Sequence, residues 1–131
     1  MKRFLLVASV IVLANCASQS SPESHARHYA YSVAESHDAN LVVDKYGTAK
    51  AYLPMFEAVY DVGRLDRGVL SEAQALRKAE VIRNTRKDVN ARQSQYNPNK
   101  SHTFLDYYSP KEANALYDGL AETYLDGYHG K

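Results

Sequence analysis

Three serine-led motifs, each able to start a helix, constrain this chain more than any other feature. They are Ser21-Pro22-Glu23, Ser71-Glu72-Ala73-Gln74 and Ser109-Pro110-Lys111-Glu112. The first turn of any helix leaves backbone N–H groups without intrahelical partners. A serine hydroxyl accepts one of them, and a Gln or Glu three residues on returns the favour to the serine's own amide. Proline at the first helical position has no N–H to lose. After each start, apolar residues recur at three- and four-residue steps, the period of a helix face. Ala26, Tyr29, Ala30, Val33 and Ala34 do so, continuing to His37 and Leu41. Leu53, Phe56, Val59 and Tyr60 form a second stripe, and Ala75, Leu76, Ala79, Ile82 and Val89 a thinner third that ends at Tyr96. Ala113, Leu116, Tyr117, Leu120, Tyr124 and Tyr128 form the fourth. Gly47 reads as the stop of the first helix. Pro54 reads as lying near the start of the second, because proline breaks a helix interior. Gly63 and Gly68 read as its end, and Asn97-Pro98-Asn99 as the end of the third. The expectation is an all-α fold, a small bundle of about four mostly antiparallel helices with no substantial sheet.

Ahead of the first helix, Met1-Lys2-Arg3 is followed by Phe4–Ala14 with no charged residue. That run has the length of a signal-peptide core and falls short of the roughly 20 residues a bilayer span needs. Next comes Leu13-Ala14-Asn15-Cys16, with the chain's one cysteine. A leucine three residues before a cysteine, with short residues between, resembles the lipobox of bacterial lipoproteins. The resemblance implies that the Cys16 thiol takes a diacylglyceryl group, that the peptide is cut just before it, and that the new N-terminus is acylated. Asn15 stands where Gly, Ala or Ser is usual. A lone thiol in an exported chain has no disulfide partner, which fits lipidation. The implied organisation is a signal peptide over 1–15, the lipidated cysteine with a polar tether over 16–21, and a helical envelope domain over 22–131. Ala17 beside the cysteine, where Asp is absent, resembles the outer-membrane sorting pattern of enterobacterial-type lipoproteins.

The remainder is close to neutral in charge, which argues against a nucleic-acid partner. No nucleophile motif, phosphate loop or H-E-x-x-H occurs. The glycines fall at expected helix ends or in the tail. His25 and His28 share a helix start, but no further ligand follows at a metal-binding spacing, so they read as surface histidines. The expectation is a protein that is not an enzyme, with no cofactor, no metal and no small-molecule substrate. Arg77, Lys78, Arg83, Arg86, Lys87 and Arg92 outnumber the acids of the third helix, while Glu112, Asp118, Glu122 and Asp126 make the last one acidic. The two are expected to pack side by side, the alternative being that the basic face meets an anionic surface or an acidic partner.

The chain holds 11 Tyr and 3 Phe but no Trp. Most of the later tyrosines read as core or rim, with the ring inside and the hydroxyl at the edge. Adjacent Tyr107 and Tyr108, in the stretch before Ser109, are the candidate partner-binding pair, because a loop rarely buries both and tyrosine is enriched at contact hot spots.

Three stretches, "LPMFEAVYDVGRLDRG", "IRNTRKDVNARQSQYNP" and "SHTFLDYYSPKEANALYDGLAETYLDGYHG", together with the lipobox, resemble the plasmid-encoded entry-exclusion lipoproteins of small mobilisable colicin-type plasmids. The resemblance covers nearly the whole chain and carries over one site residue, Cys16. It implies a palmitate-bearing outer-membrane lipoprotein that acts by protein–protein contact on an unknown envelope or plasmid-transfer protein. The alternative is a structural or pilotin-like assembly lipoprotein of the envelope.

Overall fold

A computed structural model of the chain describes residues 19–36, 44–93 and 109–131. Within them lie four helices and no strand: α1 (Ser21–Ser36), α2 (Lys45–Asp66), α3 (Glu72–Gln93) and α4 (Pro110–His129). The all-α expectation holds. The expected positions Cys16, His37, Leu41, Tyr96, Tyr107 and Tyr108, the helix end at Asn97-Pro98-Asn99, and the Val89 side chain lie outside the described residues.

α4 is the axis of the fold and packs against each of the other three helices, while α1 also packs on α2. α1 runs antiparallel to α4, since Ser21 and His25 at its start meet Asp126 and Glu122 near the end of α4. α3 is antiparallel to α4 as well: Glu72 meets His129, and Arg83 meets Asp118. α1 and α2 are antiparallel, with Tyr29 edge-on to Tyr52 and Lys45 over the Tyr31 ring. α2 alone lies parallel to α4, with Phe56 beside Gly119 and Gly63 beside Tyr124 and Tyr128.

Two buried clusters follow from this arrangement. Ala26, Tyr29, Phe56, Leu116 and Leu120 fill the space among α1, α2 and α4. Ala75, Ala79, Ala121 and Tyr124 join α3 to α4, where three alanines let the helices approach closely. The expected stripes of α1 and α4 are thus the faces that pack. On α3, Leu76 departs from its stripe and is about half exposed.

Two of the three caps form as the sequence implies. Ser71 exchanges both arms of a capping box with Gln74, at 2.8 and 3.4 Å. Ser109 does the same with Glu112, at 2.9 and 3.2 Å. The first is displaced by one residue. Ser20 precedes the helix, its amide donating to the Glu23 carboxylate and its carbonyl accepting from Ser24. Ser21 lies inside α1 and sends its hydroxyl across to Asp126 instead.

Three boundary expectations are corrected. Gly47 does not stop α1. It sits in the first turn of α2, where its amide donates to the Asp44 carboxylate at 2.8 Å. α2 starts nine residues before Pro54, which is tolerated inside because it faces solvent. There the Lys50 carbonyl, left without its helical donor, can bond water. Gly63 does not end α2 either. It is buried in mid-contact with α4, and the helix ends at Asp66, before Gly68 turns the chain at φ 83°. Gly119 and Gly127 are likewise interior to α4, and Gly130 caps it in the left-handed conformation. Of the expected helix-end glycines, only Gly68 and Gly130 serve that purpose.

Candidate functional site

The end of the bundle where α1 begins is cross-tied by side chains from all four helices. Asp126 is the hub of one tie. Its Oδ2 accepts from the Ser21 hydroxyl at 2.8 Å and lies 3.1 Å from His25 Nε2, and Lys131 Nζ stands 4.0 Å from its other oxygen. His25 Nδ1 lies 3.8 Å from Glu122, one turn back on α4. Partial burial alone would raise the Asp126 carboxyl, but the hydrogen bonds from Ser21 and His25 outweigh it and hold the group below the usual carboxylate range.

Asp66, the last residue of α2, is the hub of the second. Lys78 from α3 donates to its Oδ2 at 2.6 Å and the Tyr124 hydroxyl from α4 at 2.8 Å. Those two bonds lower the Asp66 carboxyl. Burial, with the Asp66 charge beside it, pushes the Tyr124 hydroxyl far above its ordinary range, so it stays a donor. Tyr128 donates to the Leu70 carbonyl, Tyr60 to that of Lys131, and His129 meets Glu72 at 3.0 Å.

Every group in these ties is already engaged with a partner on another element. The arrangement fastens helices together. His25 departs from the expected surface role: it is four-fifths buried as a side chain and joins α1 to α4, whereas His28 is exposed. Two carboxylates of α4 do converge on His25, a meeting no sequence spacing could reveal. Even so, no His, Cys, Asp and Glu group among the described residues has the arrangement of a metal site. The basic and acidic helices pack side by side as expected, and Arg83 donates to both Glu80 and Asp118.

A second feature was not visible in the sequence. Antiparallel α1 and α2 flank a cleft of about 490 Å³. Ala26, Ala49 and Leu53 make its floor, and Arg27, Lys45 and Lys50 its rim, with Tyr31 and Tyr46 beside them. Its cations come from two helices separated by a connection, so no run of basic residues announces it. The signal that was available is the i, i+4 and i, i+8 placement of Glu23, Arg27 and Tyr31 on one side of α1.

Cys16, Tyr107 and Tyr108 are outside the described residues. Among the described residues no helix is long and apolar enough to cross a membrane. Compared with protein-family models, with curated proteins and with solved structures, the chain finds no match.

Proposed function

We propose that the chain is a membrane-anchored lipoprotein, held at the outer membrane through Cys16, that acts by protein–protein contact in plasmid entry exclusion and without catalysis. The observation that carries this reading is the charge-free run Phe4–Ala14 ending in Leu13-Ala14-Asn15-Cys16, with no second cysteine in the chain. Each buried methylene of an acyl chain contributes about 0.8 kcal/mol to membrane binding, so two or more chains hold a small domain at the surface. The described helices begin at Ser21, a short tether away from the proposed lipid.

Contact rather than chemistry is supported by what the bundle leaves outside. Met55, Val62 and Leu65 of α2 are 46, 40 and 75 % exposed, on the side of the helix away from Phe56. Exposed apolar side chains grouped on one helix are the kind of surface a binding protein presents. Metabolic labelling with palmitate tests the anchor: wild type incorporates label and fractionates with membranes, and Cys16→Ser does neither. A mating assay tests the function: recipients expressing the chain receive a related mobilisable plasmid less often than empty-vector recipients.

A further inference from the structure

We propose that the cleft between α1 and α2 binds the phosphate of an anionic phospholipid headgroup, supplied by the membrane that holds the anchor. The choice of a lipid rests on the anchored reading above, and the cleft chemistry stands on the geometry. Arg27, Lys45 and Lys50 converge on one opening. Lys45 Nζ lies 4.6 Å from the centre of the Tyr31 ring. Glu23 is the one carboxylate of the lining, and it is engaged by the Ser20 amide. That carboxylate keeps its charge, so three cations against one anion leave the rim net positive, in a chain whose net charge is only +1.

Arg27 is also oriented. With its amide turned so that oxygen faces the guanidinium, Gln19 accepts from Arg27 Nε and Nη2 at 3.1 Å each. The remaining guanidinium N–H groups are left for a phosphate, whose oxygens the planar fork of arginine matches. Beneath them the floor of Ala26, Ala49 and Leu53 suits glycerol and the first methylenes rather than a bare ion. Tyr31 and Tyr46, 48 and 78 % exposed, are amphipathic side chains of the kind that settle at headgroup level. Apolar floor, aromatic rim and a net positive opening together describe a phosphate attached to an apolar body.

The position agrees with that occupant. Gln19 lines the cleft three residues from Cys16, at most about 10 Å of extended chain. Arg27 is two turns further along α1, so a headgroup in the cleft lays α1 along the bilayer instead of upright on it.

Nuclear magnetic resonance titration of the full-length protein in neutral detergent tests the proposal, with three probes: dihexanoylphosphatidylglycerol, dihexanoylphosphatidylcholine and inorganic phosphate. The anionic lipid should shift the amides of Arg27, Lys45, Lys50 and Leu53 and saturate, and the zwitterionic lipid should bind roughly fivefold or more weakly. A combined Arg27→Gln, Lys45→Gln, Lys50→Gln variant should lose at least about tenfold in affinity. Arg64→Gln, Arg77→Gln, Lys111→Gln, equal in charge removed but elsewhere on the surface, should lose little. Equal binding of the two lipids, equal loss in both triple variants, or no saturable shift would overturn the proposal. Inorganic phosphate binding as tightly as the lipid would assign the cleft to a soluble anion and overturn the lipid. The probes are added independently of any anchor, so the titration reads the cleft whatever palmitate labelling says about Cys16.

Discussion

Gly63 of α2 and Gly127 of α4 let two parallel helices touch backbone to backbone. A Cβ on Gly63 would collide with the Tyr124 carbonyl oxygen, and one on Gly127 with the Tyr60 carbonyl oxygen. The obstacle in both cases is main chain, which cannot swing aside as a side-chain tip can. The close crossing also aligns the ties around it, because Asp66 is one turn beyond Gly63 and Tyr124 one turn before Gly127.

Gly63→Ala and Gly127→Ala should therefore each destabilise the domain by about 2 kcal/mol or more, as overpacking of a closed interface does. In an open helix the same change would stabilise, because alanine is the better helix former by about 1 kcal/mol. Gly68→Ala is the comparison: no atom stands near its Cβ, so its smaller cost comes from the positive φ alone. Urea unfolding followed by circular dichroism gives all three from their midpoints.

The helix starts follow a different physics. Ser109→Ala removes the acceptor of the Glu112 amide and should cost about 1 kcal/mol. Ser71→Ala should cost less, since the Ser71 hydroxyl is 3.4 Å from the Gln74 amide and the site is exposed. Pro54→Ala should do the opposite and stabilise, by up to about 3 kcal/mol, by restoring an amide donor in the middle of α2. Thermal melts of the three variants would show the signs directly.

Acid should loosen the same end of the bundle. Asp126 and Asp66 both have folded-state carboxyls held below the usual carboxylate range. A lowered carboxyl contributes stability that is present above its unfolded value, about 3.9, and is lost as pH falls through the folded one. Stability should thus decline below about pH 4, and an Asp66→Asn, Asp126→Asn double variant should show a flatter decline from a lower starting point. Equal slopes in wild type and variant between pH 5 and 2 would falsify the assignment of this acid sensitivity to the two ties.

What could be read in advance was what depends on neighbours in sequence. Capping boxes at Ser71 and Ser109, the apolar faces of α1 and α4, and the helical class all rest on spacings of three and four residues. Pro54 and Gly63 misled because their ordinary local effect is overridden by context, solvent on one side and a partner backbone on the other. The His25–Asp126 contact joins residues 101 apart, and the cleft draws its cations from two helices. The contact leaves no periodic trace, and the spacing of Glu23, Arg27 and Tyr31 marks only the α1 side of the cleft, so both had to wait for the packing of α1 on its neighbours.

The functional prediction joins the anchor to a contact surface. Lipidation at Cys16 would confine the domain to the envelope, where incoming transfer machinery must pass, and would raise its effective concentration there without any new contact. Tyr107 and Tyr108 are the proposed contact pair. They lie immediately before Ser109, and a doubly bonded capping box fixes the start of α4 at that point. Tyrosine supplies binding area with little rotamer entropy lost. Recipients expressing wild type should receive a related mobilisable plasmid less often than controls. Cys16→Ser should abolish the effect. Tyr107→Ala with Tyr108→Ala should weaken it, and a thermal melt of the double variant separates loss of contact from loss of fold. His28→Ala should change nothing, because that side chain is exposed on α1. If recipients with verified expression take up the plasmid as readily as controls, exclusion is not the activity, and an envelope-assembly role becomes the better account of the same anchored bundle.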